Sequence, residues 1–341
     1  MAGPAKRPAR PRAARSPGPP PASQESSQPL ETPVVRPVTR KVFFTGATGY
    51  LGSAIAARIL RTGCAVLALA RTQERAAAVE AMGAEAVLGS FEEPEAVVAA
   101  MKNCDVVVHA AYDSERAEAQ DEAALNAIRT AAHDGRVRRL LYTSHAWVHG
   151  DTRGALVDET APLAAAEPVR WLPAHSRAAL DLAEVEVATV VFRPGIVYGG
   201  RGGTFGDWFQ EAREKRTVTY PGDGSQHWGV VHRDDVAEAY ALALEHARGG
   251  ERYLLVDESR PTVRELAEAI AKAAGAEAVP MDRRQVLETR GALGAAELMD
   301  QQFTAGRARR ELGWVPRHTN LPAAAEALLK EWEAAGEPVA G

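Results

Sequence analysis

A glycine-rich run, TGATGYLG at positions 45–52, carries the strongest chemical signal in the sequence. It follows a short apolar segment and precedes a segment with helical character that starts at Ser53. Gly46 permits a tight turn, Gly49 lets a pyrophosphate approach the backbone, and Gly52 permits close packing of helix on strand. The N–H groups at the start of such a helix bind phosphate oxygens. The run predicts a dinucleotide-binding loop, whose other members expected to contact the cofactor are Thr48, Tyr50 and Leu51.

Arg71 stands at the end of the second apolar segment, where a protein that binds NAD usually has Asp or Glu. An acid at that position would repel a 2′-phosphate, whereas a guanidinium can bind it through charged, forked hydrogen bonds. Arg71 therefore predicts NADP(H) in preference to NAD(H). The alternative is that Arg71 is an ordinary solvated residue at the start of a helix.

Short apolar segments alternate with helical segments, and they must position this loop. The predicted strands are 42–45, 64–70, 84–88, 105–109, 139–143 and 187–192, and the predicted helices are 53–61, 73–82, 94–102 and 115–133. The uninterrupted run Val106-Val107-Val108 suits a strand that is covered on both faces. The alternation predicts an α/β fold of the Rossmann type, with a doubly wound parallel sheet.

The sequence divides into three regions. We expect residues 39–194 to form mainly the NADP-binding domain, and residues 195–341 mainly a smaller, discontinuous substrate lobe, with 230–256 returning to the Rossmann core. Residues 1–38 are rich in Pro and Arg and contain no acidic residue before Glu25. Such a segment buries too little apolar surface to offset its ordering entropy, so we predict a disordered tail. The alternative is an organelle transit peptide.

Composition narrows the class of protein. Of the 341 residues, 46% are hydrophobic, which is enough for a sizeable core, and the net charge of −5 gives no sign of nucleic acid or of an acidic membrane surface as a partner. Cys64 and Cys104 stand in apolar runs, which favours buried thiols, and the absence of a Cys/His cluster predicts no metal site. No apolar stretch is long enough to span a bilayer. We expect a cytoplasmic protein that acts on a small molecule, and we leave a homodimer open.

Five further runs carry a family resemblance. They are VHAA at 108–111, YTS at 142–144, RPGIVYG at 193–199, VVHRDDVA at 230–237 and ELGWVP at 311–316. With the glycine loop, they make residues 40 to 335 similar to the extended short-chain dehydrogenase/reductases, the NAD(P)-dependent epimerase/dehydratase group. The resemblance implies that Ser90 replaces an Asp that often contacts adenine. It also implies that the following residues lie along the cofactor: Ala110, Ala111, Tyr112, Thr143, Pro194, Gly195 and Val197.

The chain departs from this family where catalysis is concerned. The family has a Tyr four residues before a Lys, and the segment aligned with that pair has Pro173 and Arg177. The standard mechanism needs a tyrosine that exchanges a proton near pH 7, and proline has no proton to exchange. Arginine stays protonated, so we expect Arg177 to bind the ribose or a phosphate of the cofactor and not to act as an acid or base.

Another group must then handle the proton. The candidates are Ser144, His145, His149, His175, Tyr198 and water. We favour His145, with Ser144 beside it, because His145 falls where the family polarises the substrate carbonyl and because an imidazole has an ordinary pKa of about 6.5.

These features predict an atypical NADPH-dependent reductase. Its substrate would be a ketone, an imine or an activated alkene or quinonoid small molecule, such as those of a biosynthetic pathway. One alternative is a nucleotide-sugar epimerase or dehydratase, against which the missing Tyr/Lys pair counts. The other alternative is a non-catalytic regulator that binds NADP(H).

Overall fold

Alternating strands and helices continue through most of the chain in this computed structural model, which describes residues 1–3, 40–113 and 115–335. The predicted tail, residues 1–38, lies outside the described residues except for its first three. The fold concerns residues 39–341, which make up one compact unit.

The strands are β1 (Lys41–Thr45), β2 (Ala65–Ala70), β3 (Glu85–Leu88), β4 (Val106–His109), β5 (Arg139–Thr143), β6 (Leu156–Val157), β7 (Ala188–Pro194), β8 (Ile196–Tyr198), β9 (Thr217–Pro221), β10 (Val230–His232), β11 (Arg252–Leu255), β12 (Glu277–Met281) and β13 (Gln302–Phe303). The helices are α1 (Tyr50–Leu60), α2 (Gln73–Ala81), α3 (Glu95–Met101), α4 (Ala117–Asp134), α5 (Leu172–Leu180), α6 (Gly203–Lys215), α7 (Arg233–His246), α8 (Val263–Ala274), α9 (Arg283–Glu297), α10 (Gly306–Leu312) and α11 (Leu321–Ala334). Short 3-10 turns occupy Ala146–His149, Glu167–Val169 and Asp181–Val185.

The central sheet has the strand order β11-β7-β5-β4-β1-β2-β3, and every neighbouring pair in it is parallel. From β1 the chain winds out through β2 and β3, and then returns to β4 on the other side of β1. The strand order therefore reverses between β1 and β4. In open parallel sheets, ligands bind at such a point, beyond the carboxyl ends of the strands.

Helices cover both faces of this sheet, as a doubly wound fold requires. On one face α1 packs against α7 and buries Ile55 and Tyr240, and on the other face α4 buries Leu125 and Ile128. The strands between them are mostly apolar, and all residues of β4 are buried. The predicted α/β Rossmann-type fold is confirmed.

A second, smaller core lies among α6, α8, α11 and two small parallel strand pairs, β8 with β10 and β9 with β12. Trp208 stacks on Trp228 with their ring centroids 5.6 Å apart, and both side chains are buried. Within the segment 230–256, β11 adds to the central sheet beside β7, while β10 pairs with β8.

None of the described helices combines the length and the apolar character that crossing a membrane would need. Within the same residues, no three His, Cys, Asp or Glu side chains are grouped so that they could hold a metal ion.

Candidate active site and cofactor cavity

A cavity of about 440 Å³ lies where the carboxyl ends of the central strands meet the loops that follow them. Most residues predicted for the cofactor or for catalysis contribute to its lining. They are Gly46, Thr48, Gly49, Tyr50, Leu51, Gly52, Arg71, Ser90, Ala110, Ala111, Tyr112, Thr143, Ser144, His145, Pro194 and Val197.

The glycine loop closes tightly between β1 and α1. Gly46 has a φ of +81°, and a Cβ there would lie 2.7 Å from the backbone of Ala110. A Cβ on Gly52 would lie 1.9 Å from the carbonyl oxygen of Gly46. Gly49 precedes the first turn of α1 and gives it no side-chain cap, so N–H groups at this end can bind a phosphate. The loop therefore fits the pyrophosphate of a dinucleotide.

Two arginines stand at the end of β2 and the start of α2. Arg71 lines the cavity, and its Nη1 lies 3.0 Å from Oδ2 of Asp113, an ion pair that lowers the pKa of that carboxyl group. Arg75 also lines the cavity, and its Nη1 donates to Oγ1 of Thr48 over 2.9 Å. Arg75 was not among the residues predicted from the sequence, although it lies one helical turn after Arg71 and could have been found by that spacing.

His145 lies at the start of the turn Ala146–His149. Its Nδ1 accepts a hydrogen bond of 3.0 Å from the backbone N–H of Trp147, so the neutral ring carries its proton on Nε2. Burial lowers the pKa of His145 to about 4, because a charged imidazolium would lose its hydration there. At pH 7, His145 is therefore a neutral hydrogen-bond donor at the cavity wall.

Ser144 precedes His145 and is buried, with its backbone N–H bonded to the carbonyl oxygen of Phe192 over 2.7 Å. Ser176 of α5 donates to the Ser144 hydroxyl oxygen over 3.3 Å. The Ser144 hydroxyl then keeps its own proton to donate. Ser144 and His145 thus place two neutral donors next to each other in the cavity.

Two predicted cofactor residues lie outside the cavity. Arg177 binds Asp181 one turn further along the chain, with its Nε 2.8 Å from Oδ1 and with 74% of its side chain exposed. Gly195 donates its N–H to Leu255, and a Cβ there would lie 2.2 Å from the carbonyl oxygen of Gly229. Gly195 therefore allows strand packing, and neither residue lines the cavity.

Helix α5 faces the cavity with other residues than the alignment suggested. Trp171 and Leu172 line the cavity, and His175 follows Trp171 by four residues, the separation of the family's Tyr and Lys. Neither Pro173 nor Arg177 lines the cavity. Because successive helical residues are about 100° apart, residues two positions apart face almost opposite sides of a helix.

The other predicted proton carriers lie elsewhere. His149 is buried with its Nε2 3.1 Å from Nη1 of Arg193, and burial lowers the pKa of His149 to about 4. The hydroxyl of Tyr198 donates to Asp257 over 3.1 Å, and burial raises the pKa of that tyrosine well above its usual range. Neither side chain contributes to the cavity.

The cavity also contains residues that were not among the predicted site residues. They are Leu69, Phe91, His109, Asp113, Ala117, Gln120, Asp121, Val169, Trp171 and Leu172. Phe91 could have been predicted because it directly follows Ser90, a predicted cofactor residue. Asp121 stands in an ordinary amphipathic helix, and its spacing does not distinguish it from the other polar residues there.

Comparison with known proteins agrees with this geometry. The NAD(P)H-binding family model matches residues 46–247. A ketoreductase of Stigmatella aurantiaca, named for 4-hydroxy-2-methyl-3-oxo-4-farnesyl-3,4-dihydroquinoline-1-oxide, is 31% identical over 80% of this chain and 79% of its own length. A 2-alkyl-3-oxoalkanoate reductase of Stenotrophomonas maltophilia is 28% identical over 69% of this chain and 76% of its own.

Among solved structures, a UDP-glucuronic acid 4-epimerase variant from Bacillus cereus, bound to NAD and a fluorinated UDP-sugar, superposes with a TM-score of 0.74. It shares 16% of its sequence with this chain and covers 85% of it and 98% of its own length, so the likeness concerns the fold. The family model, the ketoreductase relative and the fold agree with the resemblance noted in the sequence. The chain belongs to the NAD(P)H-binding family and, within it, to the extended short-chain dehydrogenase/reductases, which are enzymes that use a nicotinamide cofactor.

Proposed function

We propose that the chain is an NADPH-dependent reductase that transfers a hydride to a ketone, an imine or an activated alkene of a small apolar molecule. One observation carries this proposal. A single cavity joins the glycine loop and the two arginines to a pair of neutral hydrogen-bond donors, Ser144 and His145, and to an apolar wall.

The cofactor end of the cavity suits a dinucleotide with a 2′-phosphate. The glycine loop leaves space and N–H groups for the pyrophosphate. Arg71 and Arg75 bring two guanidinium groups to the end of β2, where the adenosine ribose of such a cofactor binds in this fold. Guanidinium forks match phosphate oxygens in geometry and charge, which supports NADP(H) over NAD(H).

The reduced nicotinamide supplies a hydride when it is bound, and a carbonyl that accepts it develops negative charge on its oxygen. His145 stabilises that charge by donating from Nε2, while its Nδ1 stays fixed on the backbone of Trp147. Ser144 can donate its hydroxyl proton to the same oxygen, since Ser176 already fills an acceptor position of that hydroxyl. Such positioned neutral donors cost no reorganisation during the reaction.

The substrate end is apolar. Val169, Trp171 and Leu172 form a wall of the cavity beside His145. An indole face and two aliphatic side chains suit a flat or alkyl-bearing substrate better than a sugar, whose hydroxyls would lose hydrogen bonds to water there. The two reductases among the relatives act, by their names, on a 3-oxo-4-farnesyl-dihydroquinoline-1-oxide and on 2-alkyl-3-oxoalkanoates, and both likenesses support a carbonyl substrate with apolar groups.

The alternative of a nucleotide-sugar epimerase or dehydratase is less well supported. A UDP-glucose 4-epimerase of Mycolicibacterium smegmatis is 28% identical over 81% of this chain, and the solved structures of a UDP-glucuronic acid epimerase and a dTDP-glucose dehydratase share the fold at 16% and 20% identity. Against this alternative, Pro173 stands where the resemblance places the family's tyrosine, and proline has no proton to exchange with a sugar hydroxyl.

NADPH is expected to bind at least about tenfold more tightly than NADH, a difference of about 1.4 kcal/mol. The Arg71→Ala/Arg75→Ala double variant should lose most of that preference, because both charged groups that support the 2′-phosphate are gone, and should bind NADH as the wild type does. Fluorescence titration of each cofactor measures both affinities. Arg177→Ala is the matched control, since this arginine lies outside the cavity, and it should leave both affinities unchanged.

Equal affinities of the wild type for NADPH and NADH would contradict the assignment of the arginines. The reductase activity itself is tested by the consumption of NADPH with a panel of ketones, imines and quinonoid compounds. If the protein converts UDP-sugars but reduces none of these carbonyl compounds, that result favours the epimerase alternative.

A further inference from the structure

A buried hydrogen-bond network surrounds Asp121 at the wall of the cavity. Oδ1 of Asp121 lies 2.9 Å from Nε2 of His109, and Oδ2 lies 2.7 Å from Nδ1 of His175 and 2.8 Å from the hydroxyl of Tyr142. Nδ1 of His109 lies 2.7 Å from Oγ1 of Thr45. The network joins β1, β4, α4, β5 and α5, and Asp121 and His109 line the cavity.

The carboxyl group of Asp121 is ionised throughout the physiological range. Burial alone would raise the pKa of Asp121, but hydrogen bonds from His109, His175 and Tyr142 outweigh this effect and lower the pKa to about 2. An ionised carboxylate only accepts hydrogen bonds, so each of its partners donates to it. Both histidines therefore carry a proton on the nitrogen that faces Asp121.

The two histidines differ in what their second nitrogen can do. Nδ1 of His109 faces the Thr45 hydroxyl, and the His109 ring is buried, so both of its nitrogens are occupied. His175 uses Nδ1 for Asp121, and 15% of its side chain remains exposed. Its ring meets the edge of Trp171, with the centroids 5.0 Å apart, and Trp171 lines the cavity. Nε2 of His175 is therefore the nitrogen of this network that can exchange a proton.

We propose that His175 is the proton source of the reduction, with Asp121 as the residue that positions it. The inference rests on the proposed reductase function. As the hydride forms the new C–H bond, the π electron pair of the carbonyl moves to oxygen, and that oxygen takes one proton. Nε2 of the His175 imidazolium releases this proton through one water, and the neutral imidazole regains a proton from solvent.

This division of labour follows from the ionisation of His145, which lines the cavity, and of His175, which packs against Trp171. The lowered pKa of His145 keeps that ring neutral, so it can stabilise an oxyanion but holds no extra proton at pH 7. The hydrogen bond from Asp121 raises the pKa of His175, which increases the share of molecules that carry the proton. In hydrolases with a catalytic triad, an Asp accepts a hydrogen bond from one nitrogen of the histidine ring and leaves the other nitrogen free to exchange a proton. Asp121 and His175 have the same arrangement.

The surroundings of His175 determine the sign of the pH dependence. Glu118 and Glu122 of α4 add their negative charge to that of Asp121, and both raise the pKa of His175 further. Other charged side chains of the packed elements form ion pairs, Arg177 with Asp181 and Arg129 with Glu184, whereas Arg193 contacts the neutral ring of His149. An acid acts only while protonated, so turnover should be constant below the pKa of His175 and fall as the pH rises through it.

The ionisation can be measured without turnover. The imidazole C–H signal of His175, assigned by its loss in His175→Gln, is followed by NMR against pH. We expect a midpoint above the ordinary value of about 6.5. Asp121→Asn should lower that midpoint by about 1 unit or more, because an amide has no charge to stabilise the imidazolium. If Asp121→Asn fails to fold, the wild-type midpoint decides, and a value at or below the ordinary one overturns the inference.

The catalytic role is measured by turnover of NADPH with a carbonyl substrate. His175→Gln should lower kcat by about 10²-fold or more and remove the alkaline fall of the pH profile, while the Kd for NADPH stays within about twofold. His133→Gln is the matched control, since His133 also pairs with an aspartate, Asp134, but lies exposed at the far end of α4. It should behave as the wild type does.

The two proposals fail in different ways. Wild-type turnover that persists in His175→Gln, with the same pH profile, overturns the role of His175 and leaves the reductase function intact. A wild type that consumes no NADPH contradicts the reductase function, and the NMR midpoint of His175 then decides whether this network holds a proton as inferred.

Discussion

His145→Ala is expected to lower the turnover of a carbonyl substrate by about 10²–10⁴-fold. The change removes the Nε2–H donor from the position where the substrate oxygen gains charge, and it leaves the glycine loop and the arginines untouched. The Kd for NADPH should therefore stay within about twofold. Steady-state kinetics with NADPH, together with a fluorescence titration of the cofactor, separate the two effects.

The pH profile distinguishes a neutral donor from an acid. Since burial lowers the pKa of His145 to about 4, this ring is neutral at every pH above about 5. His145→Ala should then reduce the rate by the same factor across the neutral range and leave the shape of the profile unchanged. His145→Gln retains an N–H donor and should recover part of the lost rate.

Full turnover in both His145→Ala and Ser144→Ala would show that neither residue contacts the reacting oxygen. Ser144→Ala should by itself have a smaller effect than His145→Ala, because Ser144 is one of two donors and its loss leaves His145 in place. The substrate used in the test matters. A protonated imine needs little help from a donor, so a simple ketone is the proper probe.

Gly52→Ala is expected to lower the free energy of unfolding by about 3 kcal/mol. The added Cβ would lie 1.9 Å from the carbonyl oxygen of Gly46 and 2.8 Å from its carbonyl carbon, and both atoms belong to the backbone. No flexible side chain can move aside, so either α1 shifts away from β1 or the glycine loop opens. Urea unfolding followed by circular dichroism measures the loss, and NADPH affinity should fall with it.

Gly49→Ala is the matched control in the same loop. A Cβ there would lie 3.3 Å from the oxygen of Gly46, and the backbone of Gly49 has a φ of −76°, which alanine adopts without strain. Its loss of unfolding free energy should be less than half that of Gly52→Ala. Equal stability of the Gly52→Ala variant and the wild type would show that Gly52 is not needed for the packing of α1 on β1.

The sequence predicted the central architecture because the signals for it are local. Each buried strand is a short apolar run, and the predicted 139–143 agrees with Arg139–Thr143 of β5. The start of α1 was predicted at Ser53, but the helix begins at Tyr50, since the N–H of Ser53 already bonds to the carbonyl oxygen of Gly49. Because glycine is a weak helix former, the first turn of α1 was not predicted from the sequence.

The cofactor loop was also predicted from a local signal, the spacing of its glycines. Gly46 and Gly52 are required by contacts between the loop, α1 and the end of β4, and their spacing encodes those contacts within one short segment. The family resemblance extended the list to Ala110, which follows β4, and to Thr143, the last residue of β5, and both line the same cavity.

Only the tertiary structure decided which residues at the start of α5 face the cavity and which side chains form hydrogen bonds to the same carboxylate. Trp171 and Leu172 line the cavity and Pro173 and Arg177 do not, because a helix changes face within two residues and an alignment of one sequence cannot fix its rotation. His109, Asp121 and His175 are far apart in the chain. Parallel strands and the helices packed on them bring together residues separated by dozens of positions, and no local spacing records that contact.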